Sequence, residues 1–289
     1  MHQNTTDTEN WLFEISPKKS LFNIPWKEIW RYRDLLFLFV HRNLTTAYKQ
    51  TILGPLWFFI QPLFTAITFT IIFNNVAGIQ TGTIPPMLFN LAGITIWNYF
   101  TACFTDTSNT FKSNAGIFGK VYFPRLITPL SVVITNLVKM GIQFLLFLFF
   151  YAYFVYKGME ATFDYKLVFF PLLVLGMGLM GLGLGMIVSS MVTKYRDLSY
   201  LISFGVQLLM YVSAVMYPLT LIKEKLPNYS WLVEYNPLAY LIETTRFVLL
   251  NQGLFTLNGM LYTIAVMAVL LFLGLLLFHR TEKSFIDTV

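Results

Sequence analysis

The chain has 289 residues, of which 56% are hydrophobic and only 12% are charged, with a formal net charge of +6. Average soluble domains carry about 25% charged residues, so this composition excludes a soluble, disordered or disulfide-rich chain and predicts a polytopic membrane protein. In such a protein, the surplus of basic residues favours contact with membrane lipids over a nucleic-acid partner.

The N-terminal region is polar and precedes the first apolar stretch. Residues 1–33 are predicted to form a cytoplasmic extension of unassigned role, and they lack the continuous apolar core of a signal peptide. Residues 34–53 are predicted to form an amphipathic interface helix, because Phe37, Val40 and Leu44 recur at helical spacing. That helix would either anchor the chain at the lipid surface or transmit force from a cytoplasmic partner.

Six stretches are apolar enough to cross a membrane, since a spanning helix needs about 20 mostly apolar residues. They are residues 54–73, 87–107, 130–156, 167–192, 198–217 and 257–278. They predict an all-α membrane protein with six transmembrane helices over residues 54–278 and a cytoplasmic tail over residues 279–289. Before the last span, residues 219–226 and 237–250 are expected to form two short re-entrant or interfacial helices.

The basic residues between the spans predict their direction. With the N-terminus in the cytoplasm, 14 Lys and Arg residues fall on the inner side and five on the outer side. Because basic residues are retained on the cytoplasmic side, we expect both termini to be cytoplasmic.

The fourth span contains several glycines. Gly181 and Gly185 form a small-xxx-small pair, a pattern that lets two helix backbones approach closely. The pair predicts close helix packing, and a surface that slides during gating is the alternative.

Few residue patterns suggest catalysis. The single Cys103 excludes an internal disulfide, and the three histidines lack metal-ligand spacing. Gly116, Gly119 and Lys120 fail the spacing of a phosphate-binding loop, so this chain is not expected to hydrolyse ATP. Acidic residues are nearly absent from the spans, which argues against a proton-relay pump or an acid–base enzyme.

Two ionisable residues fall in or near the spans. Asp106 lies near the inner end of the second span, and Lys139 lies roughly 14 Å into the third. Because both spans meet at the same predicted loop, the two side chains are candidates for an intramembrane ion pair. Alternatively, Lys139 extends its ammonium group toward the headgroups.

Aromatic residues crowd the first, second and fifth spans. Most are expected to pack inside the protein or face lipid, while a subset facing a pore could stack on sugar rings. The candidates for such a lining are Trp57, Phe58, Phe69, Trp97, Tyr99, Phe100, Tyr211 and Tyr217.

Three blocks of sequence occur in order at compatible spacing. The blocks are Arg42-Asn43-Leu44 with Tyr48-Lys49-Gln50-Thr51-Ile52-Leu53-Gly54-Pro55-Leu56-Trp57, then Lys120-Val121-Tyr122-Phe123-Pro124-Arg125, then Lys194-Tyr195-Arg196-Asp197 with Tyr217-Pro218. Together with six spans, they resemble the permease subunits of ABC transporters that export polysaccharides, over about residues 34–287. The segment Ser213-Ala214-Val215-Met216 lacks a proline often found there in that family, so the fifth span is expected to be less kinked than usual.

The resemblance implies a homodimer bound to two copies of a separate ATPase subunit, which would hold ATP and magnesium, while this chain carries no cofactor. The implied substrate is a lipid-pyrophosphate-linked polysaccharide that is exported across a bacterial inner membrane. O-antigen is favoured over teichoic acid and capsule as that polysaccharide. The implied coupling residues are Arg42, Tyr48, Lys49 and Gln50, and the implied gate-loop and pyrophosphate contacts are Lys120, Phe123 and Arg125.

Three other functions remain open from the sequence. They are a permease that exports a drug, lipid or other small molecule, a polytopic transferase that acts on lipid-linked substrates, and a passive channel. The three blocks favour polysaccharide export over the first, and the lack of a polar catalytic cluster argues against the second.

Overall fold

The computed structural model describes residues 26–49, 51–195 and 197–286, and within them every regular element is helical. The helices are α1 (Trp26–Arg31), α2 (Arg33–Tyr48), α3 (Trp57–Phe69), α4 (Pro86–Ser108), α5 (Thr110–Phe118), α6 (Ile127–Tyr156), α7 (Phe170–Val192), α8 (Leu198–Val212), α9 (Leu219–Lys225), α10 (Trp231–Glu234), α11 (Pro237–Leu250) and α12 (Leu257–Ile286). The all-α prediction is confirmed for this part of the chain. Residues 1–25 of the predicted extension, Gln50, and residues 287–289 of the tail lie outside it.

Five helical segments are long and apolar enough to cross a membrane. They are Gly54–Val76, Pro86–Ser108, Ile127–Tyr156, Tyr165–Val192 and Leu257–Glu282. The first includes α3 and a π-helical extension, Thr70–Val76. These segments agree with five of the six predicted spans.

The remaining predicted span, residues 198–217, is shorter than expected. Its helix, α8, has 15 residues and is therefore about 22 Å long, less than the ~30 Å of a hydrocarbon core. The chain leaves the helix after Val212, and Ala214 adopts a left-handed conformation with φ of 53°. The expectation of a less kinked span is therefore wrong, because the helix breaks here without a proline.

Helix α4 lies at the centre of the bundle and is mostly buried between α6, α7, α11 and α3. Its contact with α7 depends on small residues. A Cβ atom placed on Gly181 would lie 2.8 Å from Cys103 Cβ, and one on Gly185 would lie 2.5 Å from Thr107 Cβ. No side chain fits at these two positions, so the predicted close packing is confirmed.

The outer helices expose apolar surface. None of the residues of α8 is buried, and in α3 only Pro62 and Ala66 are buried. Both helices border α4, so exposed aromatic rings lie on two neighbours of the central helix. Surface of this kind suits lipid or another protein chain.

The bundle has two ends with different contents. The end called here the α2 end carries α2, α5 and the last turns of α12, where Phe111 stacks on Phe278 at 4.7 Å between ring centroids. The end called the α11 end carries α9 to α11 and the connections between the other spans, where Thr162 donates a hydrogen bond to the backbone oxygen of Leu249.

Helix α2 differs in part from its prediction. It ends at Tyr48, and the predicted helix continued to residue 53. The residues that it buries are Phe39 and Val40, whereas Phe37 is exposed. Phe39 and Val40 thus pack into the bundle, while the placement of this helix at the lipid surface stays a prediction.

Candidate functional site

A polar cavity of about 560 Å³ lies at the α2 end, between α2, α4, α5 and α6. It is called the α2 cavity below. Three of its lining residues are charged: Arg42, Asp106 and Lys139. Eight of the other ten carry an amide or hydroxyl group, which is unusual so close to membrane-spanning helices.

The predicted ion pair between Asp106 and Lys139 is not formed. Asn136 Nδ2 donates to Asp106 Oδ2 at 3.0 Å, and Asn98 Nδ2 donates to Gln143 Oε1 at 3.3 Å. These two bonds define the antiparallel register of α4 and α6, which places Asn136 opposite Asp106. Lys139 follows three residues later, about 4.5 Å deeper along α6.

Arg42 points toward the bundle. Its Nε and Nη2 donate to Asn43 Oδ1 at 3.3 and 3.1 Å, and Nη2 also donates to Asn114 Oδ1 at 3.2 Å. The guanidinium lies 4.6 Å from the centroid of the Phe39 ring. Burial lowers the pKa of Arg42, but a guanidinium keeps its charge at neutral pH. Arg42 therefore brings a fixed positive charge to the wall of the α2 cavity.

The other predicted coupling residues lie at the end of α2. Tyr48 is the last helical residue, and both it and Lys49 are exposed. Gln50, the fourth predicted coupling residue, lies outside the described residues. Tyr48 and Lys49 are thus accessible to a partner at the α2 end.

Arg125 joins the loop before α6 to the end of α12. Its Nη1 donates to the backbone oxygen of Glu282 at 2.8 Å, and its guanidinium lies 5.1 Å from the centroid of the Phe118 ring. Burial lowers the pKa of Arg125, while the charge of Glu282 acts in the opposite direction. Arg125, which is predicted to contact a pyrophosphate, thus also holds the loop before α6 against the end of α12.

The other two gate-loop residues have different surroundings. Phe123 is buried, with its ring 5.7 Å from that of Phe39, while Lys120 is exposed. Lys120, Phe123 and Arg125 all line a second cavity of about 640 Å³. The structure therefore brings the three predicted gate residues to one cavity. This cavity shares no lining residue with the α2 cavity.

The predicted channel aromatics fall into two groups. Trp97, Tyr99 and Phe100 are buried in the core of the chain, so a polymer cannot reach them. The others keep accessible surface, and the exposed fractions of Trp57 and Tyr211 reach 49% and 50%. The partly exposed members of the set are Phe58, Phe69 and Tyr217. Only this second group can line a surface that a ligand touches.

The sequence did not reveal the most deeply buried ion pair among the described residues. Arg246 Nη1 donates to Glu243 Oε1 at 2.8 Å, and both side chains are buried. Their three-residue spacing in a predicted helix was the available signal. Arg246 is one of the five basic residues that the sequence places on the outer side.

Arg246 also supports the break after α8. Its Nη1 donates to the backbone oxygens of Ala214 and Tyr217 at 2.7 and 3.4 Å, and its Nη2 donates to that of Val215. Non-helical backbone inside a membrane protein needs such partners. Arg246, about 30 positions later in the chain, therefore stabilises the non-helical segment that follows the short helix α8.

The family described as ABC-2 type transporter matches residues 34–250. Two proteins named O-antigen export system permease protein RfbA, from Klebsiella pneumoniae, are each 30% identical over 262 residues, covering 88% of this chain and 94% of the relative. A protein of the same name from Myxococcus xanthus is 26% identical over 264 residues, covering 91% and 98%.

Proposed function

The chain belongs to the ABC-2 type transporter family, and from that premise we propose that it is the permease subunit of an exporter for a lipid-linked polysaccharide, most specifically O-antigen. The observation that carries the proposal is similarity over 88% of the chain to permeases named for O-antigen export. The helical bundle, with five apolar segments of spanning length, supports a membrane subunit.

A separate ATPase subunit would supply the energy. The sequence has no phosphate-binding loop, so ATP and magnesium would bind to that partner. The exposed Tyr48 and Lys49 at the end of α2 support a contact surface there, as does the neighbouring loop before α6. Two ATPase copies would serve two permeases.

The exposed faces of α3 and α8 support a homodimer. Both helices border α4 and carry exposed rings, including Trp57, Phe64, Phe204 and Tyr211. Two copies facing each other through these helices would enclose an aromatic and weakly polar passage. Aromatic planes suit the C–H faces of sugar rings, so such a passage fits a sugar polymer.

The α2 end would face the cytoplasm of a bacterium, with the protein in the inner membrane. This orientation places 14 of the Lys and Arg residues on the inner side and five on the outer side. Lys120 and Arg125, which line one cavity at this end, would attract the anionic pyrophosphate of the substrate.

Deletion of the gene tests the function. We expect the surface glycan to be lost while lipid-linked polymer accumulates inside the cell, and complementation with the full chain should reverse both effects. An unchanged surface glycan, accompanied by sensitivity to a drug or small molecule, would instead support export of that compound.

A further inference from the structure

The α2 cavity holds charges that the protein itself leaves without an ionic partner. No ion pair joins Asp106 to either cation of the cavity, and its hydrogen bond comes from the neutral amide of Asn136. Lys139, half-buried on the opposite wall, makes no hydrogen bond or ion pair with the residues that the structure describes. Lys139 lies within the candidate span Ile127–Tyr156, and an ionisable residue inside a spanning helix commonly marks a place where a ligand binds.

The carboxylate and the two cations of this cavity lie on three different helices, α4, α6 and α2. Asp106 lies two residues before the end of α4 and lines the cavity, where one of its oxygens accepts the hydrogen bond from Asn136. A carboxylate can accept further hydrogen bonds, so Asp106 suits a group that only donates them. Lys139 lies about one helical turn deeper, and Arg42 adds a second cation from α2.

We propose that the α2 cavity binds the zwitterionic headgroup of a phosphoethanolamine lipid. The phosphate would lie against Lys139 and Arg42, and the ammonium would donate to Asp106. In a bilayer, the phosphate of such a lipid lies nearer the hydrocarbon than its ammonium does. The cavity has the same order, with Lys139 deeper than Asp106.

Other lipid headgroups match this arrangement less well. A phosphatidylglycerol headgroup has a phosphate but offers no cation to Asp106. A phosphatidylcholine headgroup has a cation without N–H donors. A diphosphate would bring negative charge toward the carboxylate, so the cavity is distinct in chemistry from the one that holds Lys120 and Arg125.

Part of the cavity wall is exposed at the surface of the chain. The exposed lining residues are Asp106 on α4 and Thr46 and Ala47 on α2, so a lipid headgroup can reach the cavity from outside the chain. With the orientation proposed above, the lipid would come from the inner leaflet. The chemistry of the headgroup does not depend on that orientation or on the exported substrate.

Lipid competition with the purified full-length chain tests the proposal. Native mass spectrometry would count bound phosphatidylethanolamine, phosphatidylglycerol and phosphatidylcholine with identical acyl chains, and inorganic pyrophosphate would serve as the competing anion. We expect phosphatidylethanolamine to bind about tenfold more tightly than phosphatidylglycerol, the size of one charge-assisted hydrogen bond. Asp106→Asn should remove this preference, while Lys139→Gln should weaken binding of both lipids.

Matched controls keep the test specific. Asn retains an oxygen that can accept the bond from Asn136, so Asp106→Asn removes the charge with little change in packing. Glu160→Gln and Lys157→Gln change the same charges on the exposed connection after α6 and should leave the preference intact. Equal binding of the three lipids by the unaltered chain would overturn the proposal, even if a variant failed to fold. So would displacement of the lipid by pyrophosphate together with an unchanged preference in Asp106→Asn.

Discussion

The two ends of the bundle use charged residues in opposite ways. At the α11 end, Glu243 and Arg246 are buried against each other, and both terminal nitrogens of the arginine bind backbone oxygens of the break after α8. At the α2 end, Asp106 and Lys139 face a cavity and do not pair. The buried charges bind partners within the protein and hold two segments together, whereas a charge that faces a polar cavity is available to a ligand.

The largest loss of stability is expected when the buried Arg246 is replaced. Arg246→Leu should lower the free energy of unfolding by about 3–5 kcal/mol, because it leaves Glu243 buried without its partner and frees three backbone oxygens. Thermal unfolding in detergent measures the loss. The matched control is Lys223→Gln, which removes an ion pair to Glu234 at 3.5 Å with partly exposed partners and should cost less than about 1 kcal/mol. Equal losses in the two variants would show that Arg246 has no special structural role.

A smaller effect is expected where α4 approaches the arginine. A Cβ atom on Gly93 would lie 2.5 Å from Arg246 Nη2 and 2.8 Å from the backbone oxygen of Val215. Gly93→Ala should therefore destabilise the protein by about 1–3 kcal/mol, as overpacking does. Gly141→Ala is the control, because a Cβ there meets nothing within 4 Å. If the unfolding temperatures of the two variants match, the contact around Arg246 is looser than the structure indicates.

The charges of the α2 cavity should affect stability less. Asp106→Lys and Lys139→Asp should each change the free energy of unfolding by less than about 1 kcal/mol, since neither loses an ion pair. The double variant should not restore any lost export activity, which a surface glycan assay measures. Restored export in the double variant would show that the two residues do pair in a working state of the transporter.

The smallest expected loss of stability is at the exposed aromatic face. Trp57→Ala should leave thermal unfolding nearly unchanged but slow polysaccharide export, because its ring is 49% exposed on α3. Trp97→Ala is the comparison, since Trp97 is buried and truncating it should cost about 3–5 kcal/mol. If Trp57→Ala lowers expression and export in equal proportion, Trp57 is a packing residue and not part of the passage.

Hydropathy alone predicted most of the bundle. Five apolar stretches of spanning length need no tertiary information, because a bilayer imposes the same length on each helix. The glycines of α7 were equally informative, since the absence of a side chain is itself the condition for close approach. The helices Leu219–Lys225 and Pro237–Leu250 also begin and end near the residues predicted for them.

Tertiary structure decided which side chains meet. In the register of α4 against α6, Asn136 lies opposite Asp106, and Lys139 lies about one helical turn deeper. The spacing of residues within each helix cannot reveal this register. In the same way, α8 ends at Val212 because Arg246, far along the chain, supplies donors to the oxygens that follow. The sequence by itself determined that the chain is a helical membrane protein with few charges. The partners of those charges depended on contacts between distant segments, because pairing is set by the packing of whole helices and not by any local pattern.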